Sequence, residues 1–297
     1  MKNRFITAFI LFATINLALA QNWMTDLTIA QRLAQVQNKM VLMVWEEATT
    51  YQYSVFVNDS KGRTIVVNSL FDDEVISPLI WDYFVPVIVR EEAYADLYLK
   101  IKGKRPQSYI DKFNDDSIKI MDINGNIINI DPYTEGPQNI SRIIQRYAIN
   151  TELIENELAG YKKEKTFYTA YYLASKYLDL AIHLKKNVRS AIIDLSKIYL
   201  NEAKEFAKSE ADSETLLQRC DLLEIQEVLI NRKPKRVLRL LKRMEKQGIA
   251  ERNESFAAFL YFSSYITLNE PDKAEKWKSK VSAVNLKKAW KIINLIS

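Results

Sequence analysis

Chemistry near neutral pH draws on few side-chain types, and this 297-residue chain uses them sparingly: one histidine, His183, and one cysteine, Cys220. A lone histidine supports neither a metal cluster nor a nucleophile triad, and His183 falls within the helical pattern Leu180-Ala181-Ile182-His183-Leu184. One thiol makes neither an internal disulfide nor a dithiol couple. Cys220 lies in the apolar helical run Leu216 to Leu223 and is expected to be a small buried hydrophobe, with pairing to another chain as the alternative. Glu46-Glu47 are neighbours at the end of an apolar run, where successive strand side chains point to opposite faces and cannot converge for acid–base work. Asp72-Asp73-Glu74 fits the charges that complement a helix N-terminus. Asp115-Asp116 with Asp122-Ile123-Asn124-Gly125 fits a turn, because the glutamate that completes a calcium loop is missing at its spacing. No phosphate loop or dinucleotide fingerprint occurs. These residues point to no catalytic group, no metal and no cofactor, so the expectation is a protein that is not an enzyme.

The feature that remains is charge. Arg232, Lys233, Lys235, Arg236, Arg239, Lys242, Arg243 and Lys246 fall within fifteen residues, opposed only by Glu245. At helical spacing, Arg232, Lys235, Arg236, Arg239, Lys242, Arg243 and Lys246 share one side, and Val237, Leu238, Leu241 and Met244 are left for a core. Such a face could bind an acidic protein, an anionic lipid or a polysaccharide; the alternative is a solvated helix surface.

Two sets of elements must carry these residues. Asp26 to Val36 has helical apolar spacing, with Thr25 or Asp26 available as a cap. Met40 to Trp45 and Phe84 to Val89 are continuous apolar runs, the pattern of strands buried on both faces. Phe71-Asp72-Asp73-Glu74-Val75 begins another helix. Ile118 to Ile128, broken by Asp122-Ile123-Asn124-Gly125, predicts a hairpin. A second hairpin is expected from the alternating Tyr53 to Val57, the turn-rich Asn58 to Gly62 and the β-branched Thr64 to Val67, with a distorted helix as the alternative. The order describes a central mixed sheet flanked by helices.

Trp23-x-x-Asp26 with its helix, Lys39-x-Val41-Leu42, Phe71-Asp72-Asp73-Glu74-Val75, Phe84-Val85-Pro86-Val87 and Ile120-Met121-Asp122-Ile123-Asn124-Gly125-Asn126 together resemble exported bacterial thioredoxin-like proteins over about 110 residues. The resemblance implies a thioredoxin fold and a Cys-x-x-Cys after the first long strand. Ala48 is followed there by Thr49-Thr50-Tyr51-Gln52-Tyr53, so both thiols needed for dithiol exchange are missing. It also implies a cis-proline before the late hairpin, where this chain has Asp116.

From Ile140 onward glycine nearly disappears and helical spacing is continuous. Helices are expected over Phe167 to Leu178, Ala191 to Ala203, Leu216 to Ile230, Pro234 to Met244, Phe256 to Tyr265, Asp272 to Val281 and Leu286 to Ile296. Pairs recur at roughly 35 to 45 residues, the period of helical-hairpin solenoids. Ala258-x-x-Tyr261-x-x-x-x-Tyr265-x-x-Leu268-Asn269-Glu270-Pro271-Asp272-x-Ala274-x-x-Trp277 resembles a tetratricopeptide repeat, and Leu229-x-Asn231-Arg232-Lys233-Pro234-x-x-Val237 echoes its turn.

Composition sets the frame. The chain is 48 % hydrophobic and 27 % charged, a globular composition long enough for two domains. Residues 21–150 hold 13 Lys/Arg and 17 Asp/Glu, whereas residues 151–297 hold 27 and 20, a contrast that suits two domains. Lys2 and Arg4 precede the apolar Phe5 to Leu19, which ends at Ala18-Leu19-Ala20. This pattern predicts a signal peptide over 1–20, cleavage near Ala20 and export to the periplasm or outside the cell. No later segment is expected to span a membrane, and export argues against nucleic acid as a ligand. The expected organisation is a thioredoxin-like α/β domain over 21–138 and an all-α, tetratricopeptide-like domain over 139–297. The expected role is a redox-inactive adaptor for a protein partner in the cell envelope. The alternatives are a thiol-independent chaperone for exported clients and an enzyme whose site the sequence does not display.

Overall fold

The computed structural model describes residues 22–130 and 137–295; the expected signal peptide lies outside them. The described residues fall into two compact units, one within Met1–Ile123 and Asp131–Ile149, the other within Asn124–Ile130 and Asn150–Ser297. The first is mixed α/β and the second is helical.

In the first unit, Asp26 caps α1 (Leu27–Gln37) by accepting from the Ile29 amide at 2.9 Å. Ala30 and Ala34 are fully buried on this helix, and their small size lets it lie close on the sheet. Asn38, at φ 54°, ends the helix in the left-handed conformation that asparagine tolerates. The chain then enters β1 (Met40–Trp45), every residue of which is buried. β1 runs parallel to β4 (Phe84–Val89) and antiparallel to β5 (Lys119–Met121), in the order β4-β1-β5. Met24 adds a single parallel bridge beside Val87 on the far side of β4. Its amide reaches Pro86 O at 3.1 Å and its carbonyl accepts from Ile88 N at 2.8 Å. The missing N–H of Pro86 therefore falls on the outer side of β4, where β1 does not need it.

The hairpin expected over Tyr53 to Val67 is present: β2 (Val55–Asn58) pairs antiparallel with β3 (Thr64–Val67) around Gly62, at φ 78°. β2 also pairs in parallel with β6 (Gln138–Asn139) to give a second small sheet. Asn139 then caps α5 (Ile140–Tyr147) through its side-chain oxygen.

Two expectations are corrected. The helix anticipated from Phe71 begins later, as α2 (Ile76–Tyr83), where the Asp73 carboxylate reaches forward to accept from Val75 N and Ile76 N at 3.0 and 2.7 Å. Of the hairpin anticipated over Ile118 to Ile128, β5 is present and pairs with β1, but no second strand follows it: Ile127 makes a single bridge, and residues 124–130 belong to the helical unit. The Asn124 and Asn126 amides tie this segment to the helical unit, both donating to Tyr199 Oη, at 2.9 and 3.0 Å. Two further helices, α3 (Tyr94–Ile101) and α4 (Gln107–Asn114), precede β5.

The second unit contains α6 (Glu155–Lys163), α7 (Phe167–His183), α8 (Lys186–Ala207), α9 (Ser213–Ile230), α10 (Pro234–Gln247), α11 (Glu251–Thr267), α12 (Pro271–Lys278) and α13 (Ala283–Ile293). Helices α7 and α8 form one hairpin. The α9–α10 and α11–α12 hairpins share one turn. Arg232 and Asn269 both sit at φ 59°. Lys233 N returns to Val228 O at 3.2 Å and Glu270 N to Tyr265 O at 2.9 Å, and a proline opens the next helix each time. The core holds Tyr177, Tyr199, Phe259 and Tyr261 together with Cys220, all essentially inaccessible. No helix among the described residues is long and apolar enough to cross a membrane.

Candidate functional site

The positions where the resemblance places reactive groups are occupied by local structure. Thr49 closes a short 3₁₀ turn (Glu47–Thr49) directly after β1. The Thr49 and Thr50 hydroxyls each donate to a carbonyl three residues back, Glu46 O and Glu47 O, at 2.7 Å. Tyr51 and Gln52 are exposed. Tyr53 donates to Asp116 O at 3.0 Å, which brings the two degenerate positions together.

Residues flanking Asp116 form a buried polar knot. Lys112 and Lys119 are 5 % and 0 % exposed, and Ser117 is 3 % exposed. Lys112 Nζ donates to Ser117 Oγ, Ser117 Oγ donates to Asp115 Oδ1, and Lys119 Nζ donates to Asp115 O. The Asp115 carboxylate also stands 3.5 and 3.2 Å from the two ammonium groups. Lys119 Nζ is 5.7 Å from the Trp45 ring centroid. Burial lowers the Lys119 ammonium to about 8, against the opposing pull of Asp115. A hydroxyl and an amine of lowered basicity are chemically capable partners, and here Lys112, Ser117 and Lys119 are all buried.

The second unit carries the accessible candidate. Pro234 starts α10, and Gly248, at φ 92°, follows its end. Val237, Leu241 and Met244 face the core while Lys235, Arg236, Arg239, Lys242, Arg243 and Lys246 are exposed. None of these six cations has a carboxylate within ion-pair distance among the described residues. Glu245, the single acid of the stretch, instead accepts from Tyr261 Oη at 3.0 Å. Burial and that carboxylate push the Tyr261 phenol above its ordinary value. Arg232 is drawn away from the face: its guanidinium caps α13, reaching Ile293 O at 2.6 Å and Ile292 O at 3.4 Å.

Five of the six exposed cations, all but Arg236, line a groove of about 670 Å³. Its floor and far wall come from Leu238, Tyr265 and Leu268, and the Lys273–Glu270 pair completes the lining without adding net charge. Lys273 lies 6.0 Å over the Tyr265 ring and pairs with Glu270 at 2.9 Å. Sequence spacing along α10 found the cations but missed Tyr265, Leu268 and Lys273. The repeated Pro234 and Pro271 turns were the available signal, since Lys273 occupies in its hairpin the place of Arg236.

The other singled-out residues lie elsewhere. His183 ends α7, with Lys291 Nζ 3.3 Å from its Nε2. Cys220 is buried, and its thiol is pushed up to about 12 by that burial. Comparison with family models, with curated proteins and with solved structures finds no match.

Proposed function

We propose that this protein is an exported, redox-inactive thioredoxin-like domain joined to a tetratricopeptide-like helical domain, and that it works as a non-enzymatic adaptor in the cell envelope. The observation that carries the reading is the α10 groove, with its uncompensated cations over an apolar, aromatic floor. Its occupant is an acidic segment of a protein partner, which supplies carboxylates for the cations and apolar side chains for Leu238, Tyr265 and Leu268.

The placement of charge favours a binding role over a merely solvated surface. Lys235 and Arg236 stand in the first turn of α10, where the helix dipole disfavours cations, and no acid shares that turn. Their position is unfavourable for the helix alone and favourable for an anionic partner. The strand order with its Met24 bridge, and the adjacency of Tyr53 and Asp116, support the thioredoxin-like reading of the first unit. The shared Arg232 and Asn269 turns support the repeat-like reading of the second.

The test is affinity capture from envelope extract with the intact chain, beside a variant in which Arg236, Arg239, Lys242 and Arg243 are changed to glutamate. The expected result is a stoichiometric partner that is retained by the parent at low salt, weakened by added salt and lost by the variant. A broad set of unfolded clients held equally by both proteins would overturn the adaptor reading in favour of a chaperone.

A further inference from the structure

A second, smaller cavity lies within the helical unit, between α7, α9, α11 and α13, with a volume of about 180 Å³. Its walls are flat and apolar where Tyr171, Tyr172 and Phe256 face it. Its charge is wholly positive: Arg219, Arg252 and Lys288 line it, and no acidic side chain does.

The three cations are not equivalent. Arg252 is 3.1 Å from Asp212 and Lys288 is 2.7 Å from Asp179, so both already have counter-charges outside the cavity. Arg219 has no carboxylate within ion-pair distance among the described residues. Its guanidinium lies 5.4 Å from the Tyr171 ring centroid and interacts with the Tyr171 hydroxyl, and its Nη1 makes long contacts of 3.4 Å to Arg252 O and Asn253 Oδ1. A planar cation held against an aromatic ring is fixed in orientation, which suits paired hydrogen bonds to a carboxylate.

The cavity also holds an unmet polar demand. Gln226 lines it at 1 % exposure, and its Nε2 has no hydrogen-bond partner. A buried amide donor left this way costs free energy until an acceptor arrives. A fixed guanidinium, an orphaned amide and aromatic walls all ask for the same occupant.

We propose that this cavity binds a small organic anion, an aromatic carboxylate in chemical class, whose carboxylate meets Arg219 and the Gln226 amide, while its ring lies among Tyr171, Tyr172 and Phe256. The site is separate from the α10 groove and does not depend on what that groove binds.

The experiment titrates the intact protein with phenylacetate, with its uncharged analogue phenylacetamide and with inorganic phosphate, followed by ligand-observed NMR and calorimetry. Saturable phenylacetate binding with a Kd of about 1 mM or tighter is expected. Phenylacetamide should bind at least about ten-fold more weakly, a difference of about 1.4 kcal/mol. Equimolar phosphate should not displace phenylacetate. Arg219→Gln should weaken phenylacetate by a similar factor. Ser255→Phe, at an exposed position of the lining, should block the cavity while leaving the melting temperature unchanged. The Arg239→Glu/Arg243→Glu variant should bind as the parent does. Equal binding of acid and amide, displacement by phosphate, loss in the Arg239/Arg243 variant, or no saturation by about 10 mM would each overturn the proposal.

Discussion

The Tyr53 phenol reaches the main-chain carbonyl of Asp116 over 3.0 Å, across 63 residues of sequence. It ties the segment after β1 to the loop before β5, and Gln138 approaches the same hydroxyl at 3.5 Å. Gln138 also accepts from the Ile118 amide at 2.6 Å, so three separate segments meet at one side chain and one phenol.

Removing that phenol should be felt as stability. Tyr53→Phe keeps the ring against Phe71, whose centroid is 5.5 Å away, and deletes only the hydrogen bonds. The expected loss is about 1 kcal/mol in a chemical denaturation midpoint followed by fluorescence. A change near zero would show that water replaces the tyrosine at no cost.

The buried Lys119 gives a pH dependence with a defined sign. Its folded-state pKa, about 8, lies below its ordinary 10.5. Between those values the unfolded chain binds more protons than the folded one, so stability rises with pH. Below pH 8 the cost of burying the charge is present in full. The parent should gain about 1–2 kcal/mol from this group between pH 8 and 9.5 relative to Lys119→Met. Parallel pH profiles for the two proteins would contradict the placement of Lys119.

Cys220 should resist alkylation. A thiolate is the reactive form, and burial raises this thiol to about 12 while removing it from solvent. Iodoacetamide at pH 8 should leave the folded protein unmodified and label it fully in denaturant, as read by intact mass. Rapid labelling of the folded protein would reopen pairing between chains.

Arg232 should act in the fold and not in partner binding. Arg232→Ala loses the caps on Ile292 and Ile293 and keeps a left-handed residue without asparagine's or glycine's tolerance. A destabilisation of about 1–2 kcal/mol is expected, with partner capture through the α10 groove unchanged. Loss of capture in a folded Arg232→Ala protein would place the residue in the interface.

Much of the element order was legible because it rests on local patterns. The continuous apolar runs of β1 and β4, the alternation of β2 and β3, and the proline-opened α10 and α12 each carry a local signature. The late hairpin failed because its outcome is decided at long range. Asp122 to Gly125 has turn chemistry, yet Asn124 and Asn126 are claimed by Tyr199, a residue more than seventy positions away. The basic face was legible from spacing, but not that Arg232 would leave it, since its acceptors lie on the last helix. The Arg219 cavity had no sequence signal, because its lining is drawn two or three residues at a time from four helices.

The Arg232 and Asn269 joints stand 37 positions apart, and both close with the same main-chain bonds ahead of a proline. Residues 234–270 thus start and finish on one local geometry, like a tile whose two edges match. Excising that tile would bring Lys233 against Pro271 and leave a joint of the same form. That one stretch is in this sense separable, a length the chain could lose or copy without inventing a new corner.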